Sequence, residues 1–208
     1  MRLQGFYFIT DSKISDKNIL ETVGKALEGG ASVVQYREKE KPIRELLTEA
    51  AEVRRICAGK ASFLVNDRID IALAVDADGV HLGQDDMPIH LARKLLGEKK
   101  IIGITVHNVS EALEAETRGA DYLGVSPIYA TGTKADAGEP AGVKLIREVR
   151  ENTGLPIAAI GGITKENIDP VVEAGADMVC AISATICAED IADAVEYFAK
   201  KTGSKTKK

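Results

Sequence analysis

The chain has 208 residues, 45% of them hydrophobic, enough to bury a full core without disulfide or metal staples. Its formal net charge of -5 argues against a nucleic-acid surface, and no apolar run approaches the roughly 18 residues needed to cross a bilayer. Cys57, Cys180 and Cys187 are odd in number and lack a C-x-x-C spacing, which speaks against disulfides and zinc and for the reducing cytoplasm.

The chain enters its first strand, 5–10, directly, with no signal-peptide pattern before it. A helical pattern over 19–27 leads to a second strand, 32–37, where the residue order is most informative. Side chains alternate faces along a strand, so Gln35, Arg37 and Lys39 line up with Val33 while Val34, Tyr36 and Glu38 point the other way. Two cations on one crowded wall imply an anion opposite them, since an unpaired buried charge is costly. The plainer alternative is that Arg37 and Lys39 lie past the strand end in solvent.

Helix 43–57, strand 62–66, a short helical piece at 69–75, strand 79–82 and helix 89–96 follow. Next come strand 101–105, helix 111–118, strand 122–125, helix 143–152, strand 157–160, helix 167–174, strand 178–182 and helix 191–199. Several helix-to-strand joints repeat one chemistry: Gly29-Gly30-Ala31, Gly119-Ala120-Asp121 and Gly175-Ala176-Asp177. Eight strand–helix pairs predict a parallel sheet closed into a single (β/α)₈ barrel over residues 1–200, with 201–208 a basic, frayed tail. A doubly wound open sheet competes, but no G-x-G-x-x-G follows the first strand.

In such barrels the site lies at the C-terminal strand ends. There the chain offers Thr10-Asp11, Arg37 with Lys39, Asn66-Asp67, Gln84-Asp85-Asp86, Thr105 with His107, Ser126, Gly161-Gly162 and Ser183. Asp67 and Asp86 follow neighbouring strands, and two acids beside two cations suit a magnesium diphosphate. Alternatively Asp67 pairs with Arg68 and the other acids are solvated. The glycines after strand seven and the run 181–185 after strand eight suit a second phosphate held on backbone N–H groups, or simply a tight turn. The long loop 131–142, carrying Thr131, Thr133 and Lys134, is expected to close over ligand. Of the histidines, His90 is expected to be exposed and His81 structural, which leaves His107 for proton transfer.

These residues resemble the thiamine-phosphate synthase family. The resemblance rests on Gln35-Tyr36-Arg37-Glu38-Lys39, Asn66-Asp67-Arg68, the stretch 79–86, the stretch 127–134, Gly161-Gly162-Ile163 and Ile182-Ser183-Ala184. It implies a transferase that joins hydroxymethylpyrimidine diphosphate to hydroxyethylthiazole phosphate, or its carboxylated form, giving thiamine monophosphate and pyrophosphate. It further implies that Gln35, Arg37, Lys39, Asn66 and Lys134 hold the pyrimidine diphosphate. Asp67 and Asp86 would hold Mg²⁺, and Thr131, Thr133, Gly162, Ile182 and Ser183 the thiazole phosphate. Arg37, Lys39, Lys134 and Thr105 would carry the catalysis. The family usually has serine where this chain has Thr105, which keeps the hydroxyl and adds a methyl that stiffens the rotamer. A thiazole tautomerase on the same barrel and a non-catalytic barrel binding thiamine intermediates are the alternatives. Two small-molecule substrates are the expected partners, with no nucleic acid and no membrane; oligomeric state is open, a homo-oligomer included.

Overall fold

Strands β1 (Gly5–Ile9), β2 (Ala31–Tyr36), β3 (Ser62–Asn66), β4 (Gly79–Leu82), β5 (Ile101–Val106), β6 (Tyr122–Val125), β7 (Ile157–Ile160) and β8 (Met178–Cys180) pair in sequence order, and β8 pairs back on β1. Every pairing is parallel, so the sheet is a closed barrel, as the alternating pattern predicts. Helices α1 (Ile19–Glu28), α2 (Ile43–Cys57), α3 (Ile69–Ala74), α4 (Ile89–Leu96), α5 (Val109–Thr117), α6 (Gly142–Asn152), α7 (Ile168–Glu173), α8 (Ile182–Ile186) and α9 (Ile191–Gly203) complete the chain. The structure is a computed structural model and describes residues 3–133 and 138–203. No helix among the described residues is long and apolar enough to cross a membrane.

Strand alternation divides the core in two. Val34 and Tyr36 face the helices in the large outer layer, whereas Val33 joins Tyr7, Leu64, Tyr122 and Met178 inside the barrel. Each large apolar side chain so buried stabilises the fold by roughly 1.5–3 kcal/mol. The inner layer is thin, and its upper end is polar.

At the opposite end, aspartates tie consecutive units together. Asp78, Asp121 and Asp177 stand just before β4, β6 and β8. Each accepts the first or second N–H of the strand before it: Phe63 at 2.8 Å, Ile102 at 2.7 Å and Ile157 at 2.9 Å. Each also pairs with an arginine from the helix that leads into that bonded strand: Arg54 on α2, Arg93 on α4 and Arg150 on α6. The repeated Gly-Ala-Asp joints therefore do more than end helices. Asp177→Ala removes the acceptor of the Ile157 N–H and the carboxylate partner of Arg150, so urea denaturation should show a loss of about 1–3 kcal/mol. The C-terminal strand ends lie at the other end of the barrel, so any activity housed there should be retained in the folded variant. Unchanged stability would show the clamp to be idle.

Three boundaries differ from expectation by two residues or more. β8 stops at Cys180, the last residue paired with β7, and Ile182 instead opens α8, where the Thr185 hydroxyl donates back to the Ala181 carbonyl at 2.8 Å. An apolar run extended the predicted strand too far. At the C-terminus α9 continues through Gly203, because Thr202 is buried and its hydroxyl bonds the Phe198 carbonyl, while Lys201 pairs with Asp169. Lys201 to Gly203 are thus helix, not tail, and residues 204–208 lie outside the described ones. Finally, α5 begins at Val109 because Asn108 caps it, accepting the Glu111 N–H at 2.9 Å.

Candidate active site

The C-terminal strand ends surround a cavity of about 310 Å³. Gln35, Arg37, Lys39, Asn66, Asp67, Asp86, Thr105, Thr131, Thr133, Gly162, Ile182 and Ser183 all line it. Lys134 lies outside the described residues, as do the neighbouring positions 135–137.

The cationic wall exists, but its charges are partnered. β2 ends at Tyr36, so Arg37 and Lys39 follow the last ladder residue while keeping the inward phase of Val33 and Gln35. The Arg37 N–H donates to the Thr10 hydroxyl at 2.9 Å, and its guanidinium donates to Asp11 Oδ2 at 2.5 Å. Asp11 is nearly sealed, its side chain only 3% exposed. Lys39 pairs with Asp67. Neither picture from the sequence holds in full: the two cations are not bare, nor are they simply solvated. Each is held by a carboxylate that an incoming anion could replace.

Asp67 stands in the left-handed region, with φ at 58°, uncommon for any residue but glycine and a place where strain collects at sites. Its N–H donates to the His81 carbonyl at 2.9 Å and its Oδ1 accepts from the Asn66 amide at 2.8 Å. Arg68 pairs with Asp70, which removes the alternative Asp67–Arg68 bridge. Asp86 sits beside Asp67, with the Gly83 N–H on its Oδ2 at 2.7 Å. Burial pushes the Asp86 carboxyl above its ordinary value, the Gly83 N–H and the nearby Lys39 oppose the rise, and the Asp67 carboxylate adds to it. Two crowded hard-oxygen donors with one half-exposed ammonium between them fit a magnesium ion, which would relieve that crowding. Among the described residues no third acidic, histidine or cysteine side chain completes a cage, so the remaining positions would fall to water and substrate oxygens.

The turn after β7, where the sequence predicts a second anion site, lines the same cavity with backbone. Gly161 and Gly162 have φ of 105° and 61°, and Asn167 fastens the turn by donating to the Gly162 carbonyl at 2.9 Å and accepting the Thr164 N–H at 2.8 Å. A Cβ on Gly162 would press on the Ala130 carbonyl and lie 2.8 Å from Tyr129 Cβ. Gly162→Ala is therefore expected to weaken binding of a phosphate at this turn by about tenfold or more while sparing a diphosphate at the Arg37 and Lys39 wall. Calorimetry with each ligand separates the two; equal losses would mean one continuous site.

Thr105 ends up inside a hydrogen-bond chain: its hydroxyl meets His81 Nε2 at 2.9 Å and its carbonyl accepts the Gln84 amide at 2.6 Å. His90 is exposed, as expected, and His107 is exposed at the rim with Nδ1 donating to the Ser126 carbonyl at 2.7 Å. Tyr7, Tyr122 and Asn167 escaped the sequence reading, and Asp11 was seen only as a polar residue after a strand. Tyrosines on inward-facing strand positions were the available signal, since a buried hydroxyl needs a partner.

Comparison with known proteins decides the family. The model of the thiamine monophosphate synthase family matches residues 6–185. The chain belongs to this family. Within it, the chain is 56% identical to the thiamine-phosphate synthase of Methanosarcina barkeri over 193 residues, covering 93% of this chain and 88% of that one. It is 51% identical to the thiamine-phosphate synthase of Methanospirillum hungatei, over 94% of this chain and 96% of that one. Among solved structures, the thiamine phosphate pyrophosphorylase of Pyrococcus furiosus superposes with a TM-score of 0.88 at 41% identity, covering 95% of both chains. A 3-hexulose-6-phosphate synthase superposes at 0.72 with 18% identity, which shows the barrel alone.

Proposed function

We propose that this chain condenses an aminopyrimidine methyl diphosphate with a thiazole phosphate, the thiazole nitrogen attacking the methylene carbon as pyrophosphate leaves. One observation carries the reading: a carboxylate–cation cluster made of Asp11, Arg37, Lys39, Asp67 and Asp86 faces a separate glycine-lined phosphate loop across one cavity. Membership of a family whose members at 51–56% identity are named thiamine-phosphate synthases supports it.

The residues divide the work simply. Arg37 and Lys39 can exchange their carboxylate partners for diphosphate oxygens, and Asn66 and Gln35 hold the pyrimidine side. Asp67 and Asp86 would hold Mg²⁺, which when bound supplies charge neutralisation for the departing pyrophosphate. Lys134, outside the described residues, is assigned to the same anion. Gly162, Ser183, Ile182, Thr131 and Thr133 place the thiazole phosphate so that its ring nitrogen lines up with the methylene carbon. No protein nucleophile is required, because an electron-rich aminopyrimidine can carry the positive charge that develops as the C–O bond breaks. Catalysis is then positioning and charge stabilisation.

A tautomerase has no diphosphate to hold, so the gathering of Asp11, Arg37, Lys39, Asp67 and Asp86 at one wall weighs against it. The three free cysteines suit a reducing cytoplasm. Purified protein, both substrates and magnesium, with thiamine monophosphate as the readout, tests the proposal. Product that fails to form with both substrates present overturns it.

A further inference from the structure

A continuous hydrogen-bond chain crosses the barrel interior beneath the cavity. Gln35 Nε2 donates to the Tyr7 hydroxyl at 2.5 Å, the Tyr7 and Tyr122 hydroxyls meet at 2.7 Å, and the Tyr122 hydroxyl meets His81 Nδ1 at 2.8 Å. His81 Nε2 then meets the Thr105 hydroxyl at 2.9 Å. Both ends, Gln35 and Thr105, line the cavity, whereas Tyr7 and Tyr122 do not.

Space for this chain is made by glycine. A Cβ on Gly103 would overlap the Tyr122 ring, and one on Gly124 would come within 2.8 Å of His81 Cε1. Both glycines sit in register with the residues they accommodate or their partners: His81 opposite Gly103, Gly103 opposite Tyr122, Thr105 opposite Gly124. Two strands of the barrel thus give up side chains so that an imidazole and a phenol can stack, with ring centroids 5.5 Å apart.

One direction gives both tyrosine protons an acceptor inside the chain. An amide nitrogen only donates, so the Tyr7 hydroxyl accepts from Gln35, and its own proton finds an acceptor within the chain only at Tyr122. Tyr122 in turn gives its proton to His81 Nδ1, which must therefore be bare. The imidazole proton then sits on Nε2 and points at the Thr105 oxygen. This leaves the Gln35 carbonyl oxygen as an acceptor at one side of the cavity and the Thr105 proton as a donor at the other. Burial holds both tyrosine hydroxyls well above their ordinary range, so neither loses its proton in working buffers. Turning one end round requires turning every member, which makes the two ends mutually dependent.

We propose that Tyr7, Tyr122 and His81 are positioning residues that hold Gln35 as an acceptor and Thr105 as a donor, so that the cavity selects an aminopyrimidine over its oxo counterpart. An exocyclic amino group offers Gln35 a proton, and a ring oxo group offers it only lone pairs. The identity of the ring rests on the condensation proposed above; the direction of the chain does not.

Two measurements test this. Long-range ¹H–¹⁵N spectra of the ligand-free protein, with His81 identified by His81→Asn, should show a neutral imidazole protonated on Nε2. A proton on Nδ1, alone or with Nε2, overturns the assigned direction whether or not any variant folds. Calorimetry without thiazole phosphate then compares the 4-amino and 4-oxo forms of 5-hydroxymethyl-2-methylpyrimidine diphosphate. The intact protein should favour the amino form by about tenfold or more, as expected when one partner of a buried pair is left unmade. Tyr7→Phe keeps the ring and lies outside the cavity, yet should bring the ratio to within about threefold. Equal affinities in the intact protein, or an unchanged ratio in a folded Tyr7→Phe, overturn the proposal. Preserved preference without condensation would leave this inference standing and remove the activity.

Discussion

Arg37→Ala should lower kcat/KM by at least about 10²–10³-fold, the scale for losing one preorganised donor to developing negative charge. It should also destabilise the fold, which a purely substrate-binding residue would not do. Arg37 is the partner of Asp11, whose side chain is 3% exposed, and removing one member of a buried pair typically costs about 3–5 kcal/mol. Adding Asp11→Asn to Arg37→Ala removes the stranded charge while keeping an acceptor for the Lys13 N–H. The double variant should therefore recover most of the lost stability in a denaturant titration and none of the lost activity. Recovery of both would mean that Arg37 acts only by supporting Asp11; recovery of neither would show that the ion pair is not what the fold misses.

EDTA should abolish condensation, and added magnesium should restore it, because the carboxylates that Arg37 and Lys39 release on taking up a diphosphate add negative charge that two cations cannot offset alone. Full turnover in metal-free buffer would remove Asp67 and Asp86 from their proposed role. The raised Asp86 carboxyl adds a sharper test. A carboxyl raised in the folded state costs stability in its ionised form, and that cost appears as pH rises through the ordinary carboxylate range and is complete above the folded value. At neutral pH and without magnesium, Asp86→Asn should thus melt at the same temperature as the parent or slightly above it. With magnesium and pyrophosphate, the parent should rise in melting temperature and the variant should not. A variant that melts well below the parent without metal would show that Asp86 serves the fold instead.

Local order along the chain determined much of this protein. Period-two strands, amphipathic helices and the glycine joints each follow from short-range geometry, so the eightfold barrel was legible, as was the inward phase of Gln35, Arg37 and Lys39. Since barrel sites sit at strand C-terminal ends, the residues after each strand already gathered into one list. Tertiary structure decided what those residues touch. That Arg37 rests on Asp11 and Lys39 on Asp67 depends on which strands become neighbours and how their ends stagger, which no single segment encodes. The run 178–182 looked like continuous strand because apolar residues serve buried strands and buried helices equally; only the end of pairing at Cys180 separates them. The chain from Gln35 to Thr105 joins β1, β2, β4, β5 and β6, and its members are ordinary inward positions when read one at a time. Closing the sheet set their hydroxyls and ring nitrogens within hydrogen-bond reach, because a sealed interior leaves a buried polar group no partner but another.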